Sequence, residues 1–203
     1  MKPHRVTAQV ALLICATAGA LTACAKPHIE AANHPNSARV VASPNGIAAL
    51  SSDHATLGLP AEICFGGPLG RSALYLAFPS TWRARGTPRK AVLTLTPREG
   101  APIDPAQVTV EAWRVTAAWQ PGALHTWWDK PELAPPYARA LITNSPVREL
   151  RIDVTELLRF AAQNPSRDFG IALLASGGSG HGVSFATGMN GGQAPRLELL
   201  FWL

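Results

Sequence analysis

Residues 150–175, LRIDVTELLRFAAQNPSRDFGIALLA, hold strand, helix, turn and strand in immediate succession, and their reading decides the fold. Leu150, Ile152 and Val154 alternate with Arg151 and Asp153, the period-two pattern of a strand with one buried face. At Thr155 the period changes, and Leu157, Leu158, Phe160 and Ala161 recur at helical spacing. Asp153 can accept hydrogen bonds from the first unpaired amides of that helix, and Glu156 three residues on completes a capping-box pattern. Asn164-Pro165 ends the helix, because the residue before a proline is pushed out of helical geometry. The spacing predicts one short helix over 155–163. The continuous apolar run 169–175 then predicts a second strand.

Outward from this unit, strand-like segments recur at 47–50, 55–59, 72–78, 91–96, 108–115 and 196–202, with turn residues between them. In 72–78, Leu74, Leu76 and Phe78 share one face, whereas 91–96 is apolar on both faces and reads as doubly buried. Pro79, Pro88, Pro97, Pro102, Pro105 and Pro121 all fall outside these runs, as ladders that need every amide require. The pattern predicts a single all-β sandwich domain over 46–203, roughly 160 residues, enough for a substantial core.

The start of the chain has different grammar. Lys2 and Arg5 precede an uncharged apolar stretch, 6–21, and then Leu21-Thr22-Ala23-Cys24. The apolar stretch is short for a membrane span of about 20 residues. This segment resembles a bacterial lipoprotein signal peptide, 1–23, with Cys24 as the lipidated first residue of the mature chain. Acyl chains stabilise anchoring by about 0.8 kcal/mol per buried methylene, so membrane attachment through lipid is expected. Ala25 stands where an aspartate would signal inner-membrane retention, so in a cell with two membranes the outer membrane of the bacterial cell envelope is expected. Residues 24–45, rich in Ala, Asn, Pro and Ser, read as a flexible tether, with His28 and His34 solvated along it.

Charge and cysteines narrow the partners. Eighteen basic residues less Lys2 and Arg5 leave 16 against 13 acidic ones, a mild net charge of +3. The densest basic group, Arg83, Arg85, Arg89 and Lys90, lies in a Gly- and Pro-marked loop and reads as solvated rather than as a nucleic-acid surface. With Cys15 in the signal and Cys24 acylated, Cys64 has no disulfide partner in the chain and reads as a small buried hydrophobe.

Several elements in order carry a family likeness: Leu74-Tyr75-Leu76-Ala77-Phe78, Ala91-Val92-Leu93-Thr94-Leu95, Trp119, Thr126-Trp127 with Lys130-Pro131, Asp153-Val154-Thr155, Gly170-Ile171-Ala172-Leu173, and Pro195-Arg196-Leu197-Glu198-Leu199. On these the chain resembles the DNRLRE-domain family, which overlaps a family of bacterial carbohydrate-binding modules. The resemblance covers about 52–203 and implies a jelly-roll-like β-sandwich of exported and surface proteins. The chain departs from the pattern at Phe185-Ala186-Thr187-Gly188 and over 61–70.

Chemistry-bearing residues are sparse. Flat aromatic faces stack on sugar rings, so the six tryptophans and two tyrosines are the leading candidates. The resemblance places Trp119 and Trp127 in the core, and Trp113 lies within a strand, a core position. Trp128, next to Trp127 and on the opposite face if extended, is the first surface candidate for carbohydrate. Tyr137, beyond Pro131, Pro135 and Pro136 in an expected exposed loop, and Trp82, after the 72–78 strand, are the next. Asp129, Glu132, Asp153 and Glu149 offer oxygens to a structural calcium ion, but no dense Asp-rich loop is present. Residues 177–182, GGSGHG, fail as a nucleophile elbow and as a dinucleotide cradle, because His181 stands where glycine is needed and a strand follows. His54, His125 and His181 are isolated in sequence. The expectation is a tethered, noncatalytic envelope module that binds polysaccharide or acts as a structural and adhesive element. The competing reading is a hydrolase or lyase acting on envelope polysaccharide.

Overall fold

The computed structural model describes residues 28–31, 37–52, 61–66, 71–98, 108–142, 149–177, 182–188 and 193–203. The strands are β1 (His28–Ala31), β2 (Ser37–Ala42), β3 (Gly46–Ser51), β4 (Glu62–Phe65), β5 (Ser72–Ala77), β6 (Lys90–Leu95), β7 (Val108–Val115), β8 (Leu133–Ile142), β9 (Leu150–Asp153), β10 (Ile171–Gly177), β11 (Val183–Ala186) and β12 (Arg196–Trp202). One α-helix, α1 (Thr155–Gln163), joins β9 to β10. The strands form two five-stranded antiparallel sheets, ordered β1-β2-β12-β6-β9 and β3-β5-β10-β7-β8, and a small β11-β4 pair. The chain is an all-β sandwich with one short helix, and the stretch at 150–175 supplies the crossing between its sheets.

The core lies between the two sheets. Leu93 and Leu95 of β6, Leu197, Leu199 and Phe201 of β12, and Ile152 of β9 meet Leu74 and Leu76 of β5, Val110 of β7 and Leu173 of β10, all at most 2% exposed. Each such side chain contributes on the order of 2 kcal/mol through burial. The helix closes one side by packing against β8 and β6, with Leu157, Leu158 and Ala161 turned inward. Asp153 accepts a hydrogen bond from the Thr155 amide at 3.0 Å, which begins the helix. Glu156 instead pairs with Arg159 at 2.8 Å, so only half of the expected capping arrangement forms. Asn164 ends the helix by donating from its amide to the Phe160 carbonyl.

The tether and the proline-rich loop of the sequence reading both differ. Residues 28–31 and 37–42, assigned there to the flexible tether of 24–45, form β1 and β2, which pair with each other, and β2 also pairs with β12 along its whole length from Ser37↔Trp202 to Ala42↔Leu197. The buried apolar residues of β2 are Ala38, Val40 and Ala42, and Arg39 pairs with Glu198 at 3.2 Å. Two alanines give little apolar contrast, so the alternation is faint in the sequence. Residues 133–142, read as an exposed loop around Pro135 and Pro136, form β8. The register passes from Trp113↔Tyr137 to Arg114↔Ala134, so both prolines sit in a bulge of an edge strand. There a missing amide costs no ladder bond.

Candidate functional site

The outward face of the second sheet follows from the period of β7. Val108, Val110 and Ala112 point to the core, so Thr109, Glu111, Trp113 and Val115 point away from it. The register sets Trp113 opposite Tyr137 and Glu111 opposite Arg139. The two rings stack with centroids 4.4 Å apart and planes 15° from parallel, a contact that stabilises by about 0.5–1.5 kcal/mol beyond its area. Glu111 ties the group together. It accepts from Trp113 Nε1 at 3.0 Å and from Arg139 Nε at 2.7 Å, while the Arg139 guanidinium lies 5.1 Å from the Tyr137 ring centre. Tyr137 is 42% exposed, and Leu141 beyond it is exposed too. The result is a fixed aromatic platform with a cation and a carboxylate at its border.

Beside this platform the connection 116–132 folds onto the same face. Leu124 and Trp127 pack with Ala48, Leu50, Ala73, Tyr75, Val115 and Ala172 in a second apolar cluster, with Trp119 half-buried at its margin. Trp119 sets its ring edge to Tyr75 at 5.8 Å and donates from Nε1 to the Phe169 carbonyl at 2.6 Å. Trp127 and Trp128 share a 3-10 turn, in which successive side chains diverge by about 120°. Trp127 is buried beneath Lys130, whose Nζ lies 4.4 Å from its ring centre, and Trp128 is 87% exposed. A capping box holds the turn: Thr126 Oγ1 accepts from the Trp128 amide, and the Asp129 carboxylate accepts from the Thr126 amide at 2.7 Å. The Thr126 amide and hydroxyl, then the His125 amide, hold the Asp129 carboxyl below its ordinary range.

A cleft of about 210 Å³ opens at the end of the sandwich where three connections meet. Phe78, Trp82 and Arg83 come from the β5–β6 connection, Ala118 and Trp119 from the segment after β7, and Asp168, Phe169 and Gly170 from the segment after α1. Arg83 Nη2 pairs with Asp168 Oδ2, and Asp168 Oδ1 accepts from the Gly170 amide at 3.1 Å. Gly170 has φ +104°, and a Cβ there would lie 2.3 Å from the Leu76 carbonyl oxygen, so no other residue fits. Arg83 Nε is buried without a hydrogen-bond partner.

Of the three residues read as sugar-facing, Trp128 and Tyr137 are exposed, and Trp82 is not. Trp82 is 2% exposed and belongs to the intersheet core, because its 3-10 turn, Ser80–Arg85, folds back over the end of the sandwich. Trp113, read as core, is half-buried on the outward face, because its partner strand β8 was not legible. Trp127 is buried as expected, though in the outer cluster rather than between the sheets. Missed altogether are Glu111 and Arg139, whose spacing to Trp113 and Tyr137 is visible only once β7 and β8 are paired. Asp153, Asp129 and Glu149, offered as calcium ligands, are engaged in the helix cap, the 3-10 cap and ion pairs with Arg196 and Arg151. No group of three His, Cys, Asp or Glu able to hold a metal occurs among the described residues. Cys24, His54 and His181 lie outside the described residues. Comparison with protein-family models and with curated proteins gives no match.

Proposed function

We propose that the protein is a noncatalytic carbohydrate-binding lipoprotein of the bacterial cell envelope, of the DNRLRE kind, anchored through Cys24. Its ligand is a polysaccharide that lies along the outward face of the second sheet. The observation that carries this reading is the exposed aromatic set on that face: Tyr137 stacked on Trp113, and Trp128 at 87% exposure on the neighbouring turn. Aromatic faces take up the apolar faces of sugar rings, and Arg139 and Glu111 at the border supply a donor and an acceptor for hydroxyls. A solvated tryptophan gains nothing for the fold, whereas the capping box of Thr126 and Asp129 fixes the backbone that carries it.

The test is a binding screen of the protein against a panel of envelope and plant polysaccharides, with release of reducing ends read in the same wells. Binding without release is expected, and Tyr137→Ala and Trp128→Ala each weaken it about tenfold, the worth of one lost stacking contact. Reducing ends appearing in proportion to protein would overturn the noncatalytic reading. Replacing Cys24 with serine is expected to abolish detergent partitioning and leave the fold intact.

A further inference from the structure

We infer that the end cleft is a second carbohydrate site, which takes a single neutral six-membered sugar ring. The inference rests on the carbohydrate reading above and names a different subsite for it. Size comes first. A volume of about 210 Å³ is somewhat larger than the cavity of about 150 Å³ that holds one benzene ring, room for one six-membered ring with its hydroxyls.

The walls decide the chemistry. Phe78, Trp119 and Phe169 give apolar surface, and Arg83 with Asp168 gives the polar floor. Arg83 lines the cleft with more N–H groups than its pair with Asp168 through Nη2 uses, and these favour an oxygen, which an aliphatic or purely aromatic ligand would not bring. Asp168 neutralises Arg83 and would repel a second carboxylate, so an acidic sugar is disfavoured. A neutral ring carrying hydroxyls meets both conditions, accepting from Arg83 and donating to the remaining lone pairs of Asp168. One segment, 116–132, supplies Trp119 to the cleft and Trp128 to the open face, and so joins the two.

The experiment titrates the full chain in detergent with glucose, galactose, mannose, N-acetylglucosamine and glucuronate, following tryptophan fluorescence and saturation-transfer NMR. At least one neutral sugar is expected to saturate, with glucuronate weaker by roughly tenfold or more, as an unpaired like charge dictates. Arg83→Gln should weaken the neutral sugar by roughly tenfold, the worth of a charge-assisted hydrogen bond. Ala118→Phe, at an exposed position on the cleft wall, should abolish binding with an unchanged melting curve, which guards against an Arg83 variant that fails to fold. Tyr137→Ala should leave the monosaccharide titration unchanged. No saturation by any neutral sugar, or saturation that survives Ala118→Phe, overturns the cleft site, and polysaccharide binding lost in Tyr137→Ala would still stand for the open face. Monosaccharide binding lost in Ala118→Phe, beside polysaccharide binding indifferent to Tyr137 and Trp128, keeps the cleft and removes the face.

Discussion

The two apolar clusters of the molecule are built by different means. Between the sheets, neighbouring strands contribute alternate residues to one interlocked layer, so each side chain is held by a ladder on either side. Outside the second sheet, a connection of irregular backbone lies over Ala48, Ala73, Tyr75 and Ala172, held by Trp119, Leu124 and Trp127. The first is rigid because its backbone amides are spent in sheets. The second depends on a few anchors and on the caps at Thr126 and Asp129. The exposed Trp128 is therefore carried where the fold can adjust without disturbing its core.

Phe201→Ala breaks the intersheet layer directly and should cost about 3–5 kcal/mol, measured by denaturant unfolding. Trp127→Ala removes the main anchor of the outer cluster, but the connection can settle into the gap, so about 2–3 kcal/mol is expected. Hydrogen exchange sharpens the contrast: amides of 116–132 should exchange by local opening in this variant, while those of β6 and β12 exchange only on global unfolding.

Tyr75 carries the comparison into pH. Its hydroxyl is buried under the outer connection with no hydrogen-bond partner, and burial pushes it up to about 12 from 10.0. The folded state keeps a proton that the unfolded state releases, so this part of stability is full below pH 10 and is lost as pH rises toward 12. Tyr75→Phe should stabilise by about 1 kcal/mol at neutral pH and remove that alkaline loss, so the gap between the two melting temperatures should widen as pH rises above 10. Trp128→Ala should change stability by less than about 0.5 kcal/mol, because its side chain is solvated. At the acid end the sign reverses. Asp129 is held below its ordinary value of 3.8, so its capping contribution is present above that pH and is lost as pH falls further, read as fraying of the 126–129 amides by NMR.

Legibility in the sequence follows the same division. β6, β7, β12, α1 and the strands around it announce themselves because large apolar residues recur at a fixed period. β2 hides behind alanines, and β8 behind two prolines that only an edge position and a bulge make tolerable. The exposed candidates fared by the same rule. Adjacent residues diverge, so Trp128 could be separated from Trp127 from the sequence, whereas the burial of Trp82 depends on how the 3-10 turn at 80–85 folds back, which no periodicity encodes. The Trp113–Tyr137 stack and the Arg83–Asp168 pair join residues far apart in the chain, and only the paired strands and meeting connections bring them together.

β12 lies between β2 and β6, so the strand nearest one end of the described chain is the centre of its sheet. Without residues 196–202, β2 keeps only β1 and β6 keeps only β9, and such two-stranded ribbons are marginal in water. Closure of this sheet therefore waits on its last strand, so the sandwich forms by a long-range pairing rather than by growth from a local hairpin.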